Sequence, residues 1–380
     1  MRGPALRPIV IAAGGTGGHF YPAEALAAAL IARGQWVVLM TDARSGALNS
    51  TVFNARDQYV LPGAGIAGRG VARAGKAVLS LAAGVVKARG ILARIRPAAV
   101  VAFGGYPAVP PVLATRLLRD RPPVVLHEQN AVLGRANRFL SGHASVLALS
   151  FAATVRVPKG VRTVVTGNPA RPAIMALSTA PYTPPDGPVH LLILGGSLGA
   201  RVFSDIVPEA LTRLPDALRA RLRVTQQCRA EDLDRVRAAY QDHGIAADLA
   251  PFFADVAGRL RAAHLVIARA GASTVAELAI AGRPAILVPL PGAIDDHQSA
   301  NARALADAGG AWIMPQPTFT AARLADSLTR LLADNTTPGA AAGDSPLVRA
   351  AAGARTVAQP GAAAALADLV QQLARQEIKA

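Results

Sequence analysis

Short apolar runs alternate with Ala- and Leu-rich stretches of helical spacing along the whole chain. Runs at 9–13, 36–41, 99–103, 124–127, 164–166, 191–194, 222–226, 265–268 and 285–288 read as strands, each followed by Gly, Pro or polar residues and then a helix pattern. Near-continuous apolar strands that each lead into a helix predict parallel α/β sheets covered on both faces. With 380 residues the chain has room for two such domains, and the Pro-containing segment 167–188, poor in apolar runs, reads as the linker. The low-complexity stretch 333–343 reads as mobile. Beyond Pro360 a helix pattern runs to about Glu377, with Leu366, Leu369, Val370 and Leu373 on one stripe that must pack on something.

An internal similarity supports two domains more directly than length does. IVIAAGGTGGH near the start and LLILGGSLGAR after the linker are each a strand, a Gly-Gly turn and a helix entry. Glycine permits positive φ, and a helix N-terminus offers unpaired N–H groups to an anion. Neither turn fits the dinucleotide fingerprint G-x-G-x-x-G: from Gly15 the third glycine falls on Phe20, and from Gly195 the second falls on Ser197 and the third on Ala200. The near-match to a triphosphate loop at 70–77 has Ala77 where a metal-holding Ser or Thr belongs, and it reads as a chance Gly/Arg-rich loop.

Charge narrows the partners. The formal net charge is +16, with 40 Lys and Arg against 24 Asp and Glu. That excess points to nucleic acid, an acidic membrane surface or phosphate-bearing substrates. Aromatics are only 4% and no recognition motif accompanies the arginines, which argues against nucleic acid. Mean hydropathy is +0.31, yet no apolar run is long enough to span a bilayer. Residues 97–115 are uncharged but broken by Pro97, Pro107, Pro110, Pro111 and Gly104-Gly105, and 139–155 is interrupted by Ser141, Gly142 and His143. The N-terminal run 9–13 is too brief for a secretory segment, and a single cysteine, Cys228, cannot form an internal disulfide. The expectation is a cytoplasmic protein, soluble or peripheral on a membrane.

Several polar groups fall where open α/β sheets place ligands. His19 ends the first Gly-rich turn, either as a plain helix-start residue or as a base able to take a proton from a sugar hydroxyl. His127-Glu128-Gln129-Asn130 follow a strand and read as unlikely core, being either a solvated loop or a site in which Asn130 reads sugar hydroxyls. In RAGASTVAEL, Ser273 and Thr274 suit helix capping, while Glu277 suits two ribose hydroxyls. Gln298 and Asn301 in DDHQSAN share a face at a helix start. Asp295, Asp296 and His297 lack a second ligand cluster, which favours chemistry without a metal or other cofactor.

Taken together and in order, GGTGGH, FGGYP, HEQN, GNPAR, GGSLGAR, RAGASTVAEL and DDHQSAN resemble the MurG family over nearly the whole chain. The resemblance implies a GT-B fold, α/β with two Rossmann-like domains facing across a cleft. It implies an acceptor and membrane-associating domain at 1–168, a UDP-GlcNAc domain at 169–357 and a helix at 358–380 that returns to the first domain. The implied reaction is inverting transfer of GlcNAc from UDP-GlcNAc to the 4-hydroxyl of the muramoyl sugar of undecaprenyl-diphospho-MurNAc-pentapeptide, a step of peptidoglycan synthesis. A related GT-B transferase with another UDP-sugar or lipid acceptor is the alternative, and a basic membrane-surface or nucleic-acid binding protein is the rival outside enzymes.

Carried over by position, His19 matches the general base. Ser197 and Arg171 match diphosphate contacts, Glu277 the ribose ligand, and Ala272, Ser273 and Thr274 share its loop. Phe253 lies where the family uses a backbone contact to uracil, although an aliphatic residue is expected there. Gln298 and Asn301 match residues reaching the GlcNAc, which Thr16, Gly17, Gly18 and Asn130 approach from the first domain. Gly14, Gly15, Gly104, Gly105 and Tyr106 fall on the acceptor side. Gln226-Gln227-Cys228 departs from the family's usual His-Gln pair and receives no role. The implied partners are the two substrates, the anionic inner face of the plasma membrane and other cell-wall synthesis proteins.

A lipid acceptor requires membrane contact. On a helix through residues 76–94, Val78, Leu81, Val85 and Leu92 form one stripe, read as core-facing, opposite Lys76, Lys87 and Arg94. Leu79 and Val86 lie off that stripe, and with Arg69, Arg73 and Lys76 they are the expected membrane patch.

Overall fold

The computed structural model describes residues 7–15, 17–43, 50–54, 56–62, 71–197, 199–333 and 345–378, with 71–76 and 377–378 described in backbone only. The chain divides into two compact units: Met1–Arg171 with Gly361–Ala380, and Pro172–Pro360.

Unit 1 is built on seven strands: β1 (Ile9–Ala12), β2 (Val37–Thr41), β3 (Gln58–Val60), β4 (Ala99–Ala102), β5 (Val124–Glu128), β6 (Val146–Leu149) and β7 (Thr163–Val165). Their order is β3-β2-β1-β4-β5-β6-β7, and every pair is parallel. Unit 2 repeats the plan with β8 (Val189–Leu194), β9 (Leu222–Gln227), β10 (Ala246–Ala250), β11 (Leu265–Ala268), β12 (Ala285–Leu287) and β13 (Ala311–Ile313) in the order β10-β9-β8-β11-β12-β13. These pairs are parallel too.

Each sheet therefore has one switch point, where the chain leaves neighbouring strands in opposite directions. In unit 1 it lies between β1 and β4, and in unit 2 between β8 and β11. Loops that follow such strands splay apart and leave a crevice at the carboxyl ends. Both Gly-rich turns start there.

The strand patterns explain the layers. In β1, Ile9 and Ile11 face one side of the sheet and Val10 and Ala12 the other, and all four are fully buried. The first side is covered by Phe20, Leu26 and Leu30 of α1 (Gly17–Ala32) and by Leu366, Leu369, Val370 and Leu373 of the C-terminal helix Ala362–Ile378. That stripe is what joins the end of the chain to unit 1, with Arg33 and Asp368 paired at 2.7 Å beside it. Burying each large apolar side chain stabilises the docking by about 1.5–3 kcal/mol, more than the exposed ion pair contributes. The second side is covered by Ala88 and Leu92 of α2 (Val71–Ile95) and Val112 of α3 (Val109–Thr115). In unit 2, Leu191 and Ile193 pack on Phe203, Val207 and Leu211 of the helix Arg201–Thr212.

The structure corrects several expectations. Strands β3, β6, β10 and β13 were not anticipated. Of segment 167–188, residues 167–171 belong to unit 1 and 172–188 to unit 2, where they form the helical turn Pro172–Met175, with Ile174 and Leu177 buried and the Tyr182 hydroxyl donating to the His264 carbonyl at 3.0 Å. Residues 71–77 of the near-match lie inside α2 and form no phosphate loop. Val78 is 65% exposed, so the core-facing stripe of α2 is instead the half-buried Leu81 and Val85 with the buried Ala88 and Leu92. Thr16, Arg69 and residues 334–344 lie outside the described residues.

Candidate active site at the two switch points

In unit 1 the turn after β1 delivers His19 in the first turn of α1, half-buried, while Gly18 beside it is exposed. The loop after β4 meets it. A Cβ at Gly105 would lie a tight 3.3 Å from His19 Cδ2 and 3.4 Å from Nε2, and Gly105 has φ of 65°, a backbone conformation that favours glycine. Gly14 is buried and Gly15 half-buried in the turn itself. Gly104 abuts the Asn137 amide, and the Tyr106 hydroxyl is buried without a hydrogen-bond partner among the described residues.

The HEQN segment is the largest correction. His127, Glu128 and Gln129 are buried at the end of β5, with exposures of 0%, 2% and 2%; only Asn130 is half-buried. Buried polar groups must be hydrogen-bonded, and these are. His19 Nδ1 lies 2.8 Å from Gln129 Oε1, Gln129 Nε2 lies 2.9 Å from His127 Nδ1, and His127 Nε2 lies 2.9 Å from the Gly167 carbonyl. Burial holds the His127 pKa down to about 4, against the opposing hydrogen bond to Gly167. Glu128 accepts from the Asn130 backbone N–H and amide, from the Gly134 N–H and from Asn137 Nδ2, at 2.9–3.0 Å. It fastens the loop that carries Asn130. Arg171, the last residue of unit 1, lies with its guanidinium 4.9 Å from the Tyr21 ring centroid.

In unit 2 the turn after β8 is equally constrained. A Cβ on Gly195 would fall 2.3 Å from the Ala200 backbone nitrogen, so only glycine allows the chain to fold back onto the start of the helix Arg201–Thr212. Ser197 is exposed at its tip. Across the switch point, the helix Ala272–Ala281 begins at Gly271 and no side chain caps it. The capping role expected for Ser273 and Thr274 is therefore wrong: both sit inside the first turn, where the N–H groups have no helical partner and carry the positive end of the dipole. Glu277, one turn on, is half-buried, and Ala272 is buried. Phe253 is buried under the Arg259 guanidinium, 3.8 Å from the ring centroid. Gln298 accepts from the Leu290 N–H at 3.0 Å, while Asn301 is fully buried and donates to the Ala270 carbonyl at 3.1 Å. Asp295 and Asp296 take φ of 57° and 53° just before Gln298, a costly conformation for residues with side chains. Among the described residues no three His, Cys, Asp or Glu side chains cluster in a way that could hold a metal.

Comparison with known proteins places this geometry in a family. The N-terminal domain of glycosyltransferase family 28 matches residues 9–148, and its C-terminal domain matches 190–359. A protein of Granulibacter bethesdensis named UDP-N-acetylglucosamine–N-acetylmuramyl-(pentapeptide) pyrophosphoryl-undecaprenol N-acetylglucosamine transferase is 63% identical, covering 98% of this chain and 95% of its own. One of the same name from Acidiphilium cryptum is 54% identical over the full length of both chains. The crystal structure of Acinetobacter baumannii MurG aligns with a TM-score of 0.75 and 34% identity, covering 96% of this chain and 99% of that one. The chain belongs to the MurG family.

It is thus a UDP-sugar glycosyltransferase with the two Rossmann-like domains of the GT-B class. Three residues with work at these MurG-family switch points escaped the sequence reading. Gln227 is buried and staples the second Gly-rich turn, accepting from Gly195 N–H at 3.0 Å and donating to the Gly196 and Pro251 carbonyls at 2.9 and 3.1 Å. Arg229 lies against the same turn, its Cγ 3.1 Å from where a Gly199 Cβ would be. Arg269, in the RAGAST motif, is buried and donates to the Val288 and Pro289 carbonyls and to Gln316 Oε1 at 3.0, 3.2 and 2.6 Å. It ties the loops after β11 and β12. Only the position of Gln227, at the carboxyl end of β9, signalled anything in the sequence.

Proposed function

We propose that this chain transfers GlcNAc from UDP-GlcNAc to the 4-hydroxyl of the muramoyl sugar of undecaprenyl-diphospho-MurNAc-pentapeptide, with inversion. The observation that carries the assignment is the hydrogen-bonded imidazole of His19 at the switch point of unit 1, in a chain whose full-length relatives bear that name. His19 removes the proton of the attacking hydroxyl as O4 bonds to the anomeric carbon. The anomeric C–O bond breaks and its electron pair leaves with UDP. Ser197 and the N–H groups of the helices Arg201–Thr212 and Ala272–Ala281 receive the negative charge of the diphosphate, with Arg171 assigned to the same anion. Each such donor is worth roughly 3 kcal/mol in the transition state, by analogy with oxyanion-site deletions. Glu277 holds the ribose, the backbone at Phe253 the uracil, and Gln298 with Asn130 the GlcNAc. Asn301, buried and donating to the Ala270 carbonyl, supports the helix start beside buried Ala272.

The acceptor brings the protein to the anionic cytoplasmic face of the inner membrane. No helix among the described residues is long and apolar enough to cross a bilayer. Val78, Leu79 and Val86 of α2, Leu117 after α3 and Phe139 of α4 (Arg135–Leu140) are each more than half exposed. Arg89 Nε donates to the Leu117 carbonyl at 3.2 Å and so links the first two groups. Exposed Lys87, Arg89, Arg116 and Arg135 accompany them, each contributing about 1 kcal/mol toward an anionic leaflet.

The assay is UDP release from UDP-GlcNAc with the lipid-linked muramoyl-pentapeptide, with acceptor omitted, and with UDP-glucose as donor. Acceptor-dependent release with preference for UDP-GlcNAc is expected; its absence sinks the assignment. Leu79→Glu with Val86→Glu should lower binding to anionic vesicles while leaving donor affinity unchanged.

A further inference from the structure

We propose that Gln129 and His127 are positioning residues that fix the tautomer of His19, so that Nδ1 carries the proton and Nε2 presents the lone pair to the substrate. The inference rests on the reading of His19 as the base and concerns how that base is set.

The chain of hydrogen bonds can be oriented from its anchored end. A backbone carbonyl only accepts, so the Gly167 oxygen, 2.9 Å from His127 Nε2, requires the His127 proton on Nε2. His127 is completely buried and held neutral, so its Nδ1 is an acceptor. The Gln129 atom facing that Nδ1 at 2.9 Å must then donate. The same atom lies 3.1 Å from the His127 carbonyl, a second acceptor. Two acceptors on one side of the amide fix its NH₂ there and turn Oε1 toward His19, 2.8 Å from Nδ1. An amide oxygen has no proton to give, so His19 Nδ1 is the donor and its lone pair is on Nε2.

The neighbouring carboxylate is engaged elsewhere. Glu128, next in the chain, turns both carboxylate oxygens to Asn130, Gly134 and Asn137. A neutral amide orients the imidazole without adding charge beside it. The order also matters for a free ring, because imidazole in water favours the opposite tautomer, with the proton on Nε2. Without an acceptor at Nδ1, most of the population would present an N–H where the reaction needs a lone pair. The ring edge bearing Nε2 faces Gly105, where a side chain would crowd it, its Cβ 3.4 Å from Nε2.

The test is ¹⁵N NMR of the full-length protein labelled at histidine, with the His19 signals assigned by their loss in His19→Ala. At neutral pH the wild type should show the Nδ1–H tautomer for both His19 nitrogens' shifts. Gln129→Leu should move the His19 signals toward the Nε2–H pattern and lower kcat roughly 10–100-fold, by analogy with partners that orient metal-bound histidines, with KM for UDP-GlcNAc unchanged. An Nε2–H pattern in the wild type overturns the proposal without any variant having to fold. So does a Gln129→Leu protein whose His19 tautomer is that of the wild type. If His19→Ala keeps full turnover, the base reading falls while the tautomer result still stands on its own.

Discussion

The two switch points share a topology and solve opposite problems. In unit 1 the polar residues fold inward: His127, Glu128 and Gln129 are buried and bonded to one another and to the backbone, and a single imidazole emerges from the network. In unit 2 the helix start after β11 is left open, begun by Gly271 with no capping side chain, while the nearby buried cation Arg269 is taken up by carbonyls. On the proposed function, one end sets the direction of a proton and the other offers backbone donors to an anion. The shared fold dictates where each site lies, and the side chains at the strand ends decide what it does.

If that division of labour is right, the largest effect belongs to the proton. His19→Ala should lower turnover about 10²–10⁴-fold, the usual contribution of a general base, with UDP-GlcNAc affinity near that of the wild type. Equal loss of donor affinity would break the comparison.

Acid should act on unit 1 in a defined window. The unfolded chain takes up a proton at His127 below about pH 6.5, while the buried native ring resists it until about 4. The unfolded state then binds more protons, so stability is full above pH 6.5 and falls as the pH drops toward 4, by roughly 3 kcal/mol in total for this group. Urea unfolding between pH 7 and 4 measures it, and His127→Gln should flatten the dependence.

Smaller effects are expected in unit 2. Glu277→Ala should weaken UDP-GlcNAc about 10- to 100-fold by titration calorimetry, the value of hydrogen bonds to a charged group, with little change in the rate at saturating donor. Gln227→Ala removes two hydrogen bonds from the Gly195–Gly196 turn and a third from the Pro251 carbonyl, and leaves the Gly195 N–H without its acceptor. It should cost about 1–3 kcal/mol of stability and a few-fold in donor affinity, read by the Tm and the same titration.

The sheets were legible because parallel strands buried on both faces leave unbroken apolar runs, as in Ile9–Ala12 and Leu265–Ala268. Three of the four strands missed, β3, β10 and β13, are sheet edges, where one neighbour suffices and AADLA or a three-residue AWI can pair without a strand-like sequence. The fourth, β6, is interior but hidden in a longer apolar stretch with polar flanks. The Gly-rich turns were legible through their glycines, which the backbone requires. The HEQN segment was misread because four polar letters do not say whether their side chains reach water or one another. The same limit hid Gln227, whose partners are backbone groups of distant loops, and made Ser273 look like a cap, since the cap position falls two residues earlier, on Gly271. Val78 was misassigned because a stripe drawn at 100° per residue does not say where along α2 the core ends.

The most direct test of separate duties is a double-mutant cycle of His19→Ala and Glu277→Ala in the full-length protein, measuring donor dissociation constant and single-turnover rate at saturating donor in each variant. The double variant should keep the dissociation constant of Glu277→Ala and the saturated rate of His19→Ala. A His19→Ala protein that loses donor affinity as Glu277→Ala does, or a Glu277→Ala protein as slow at saturation as His19→Ala, would contradict the account.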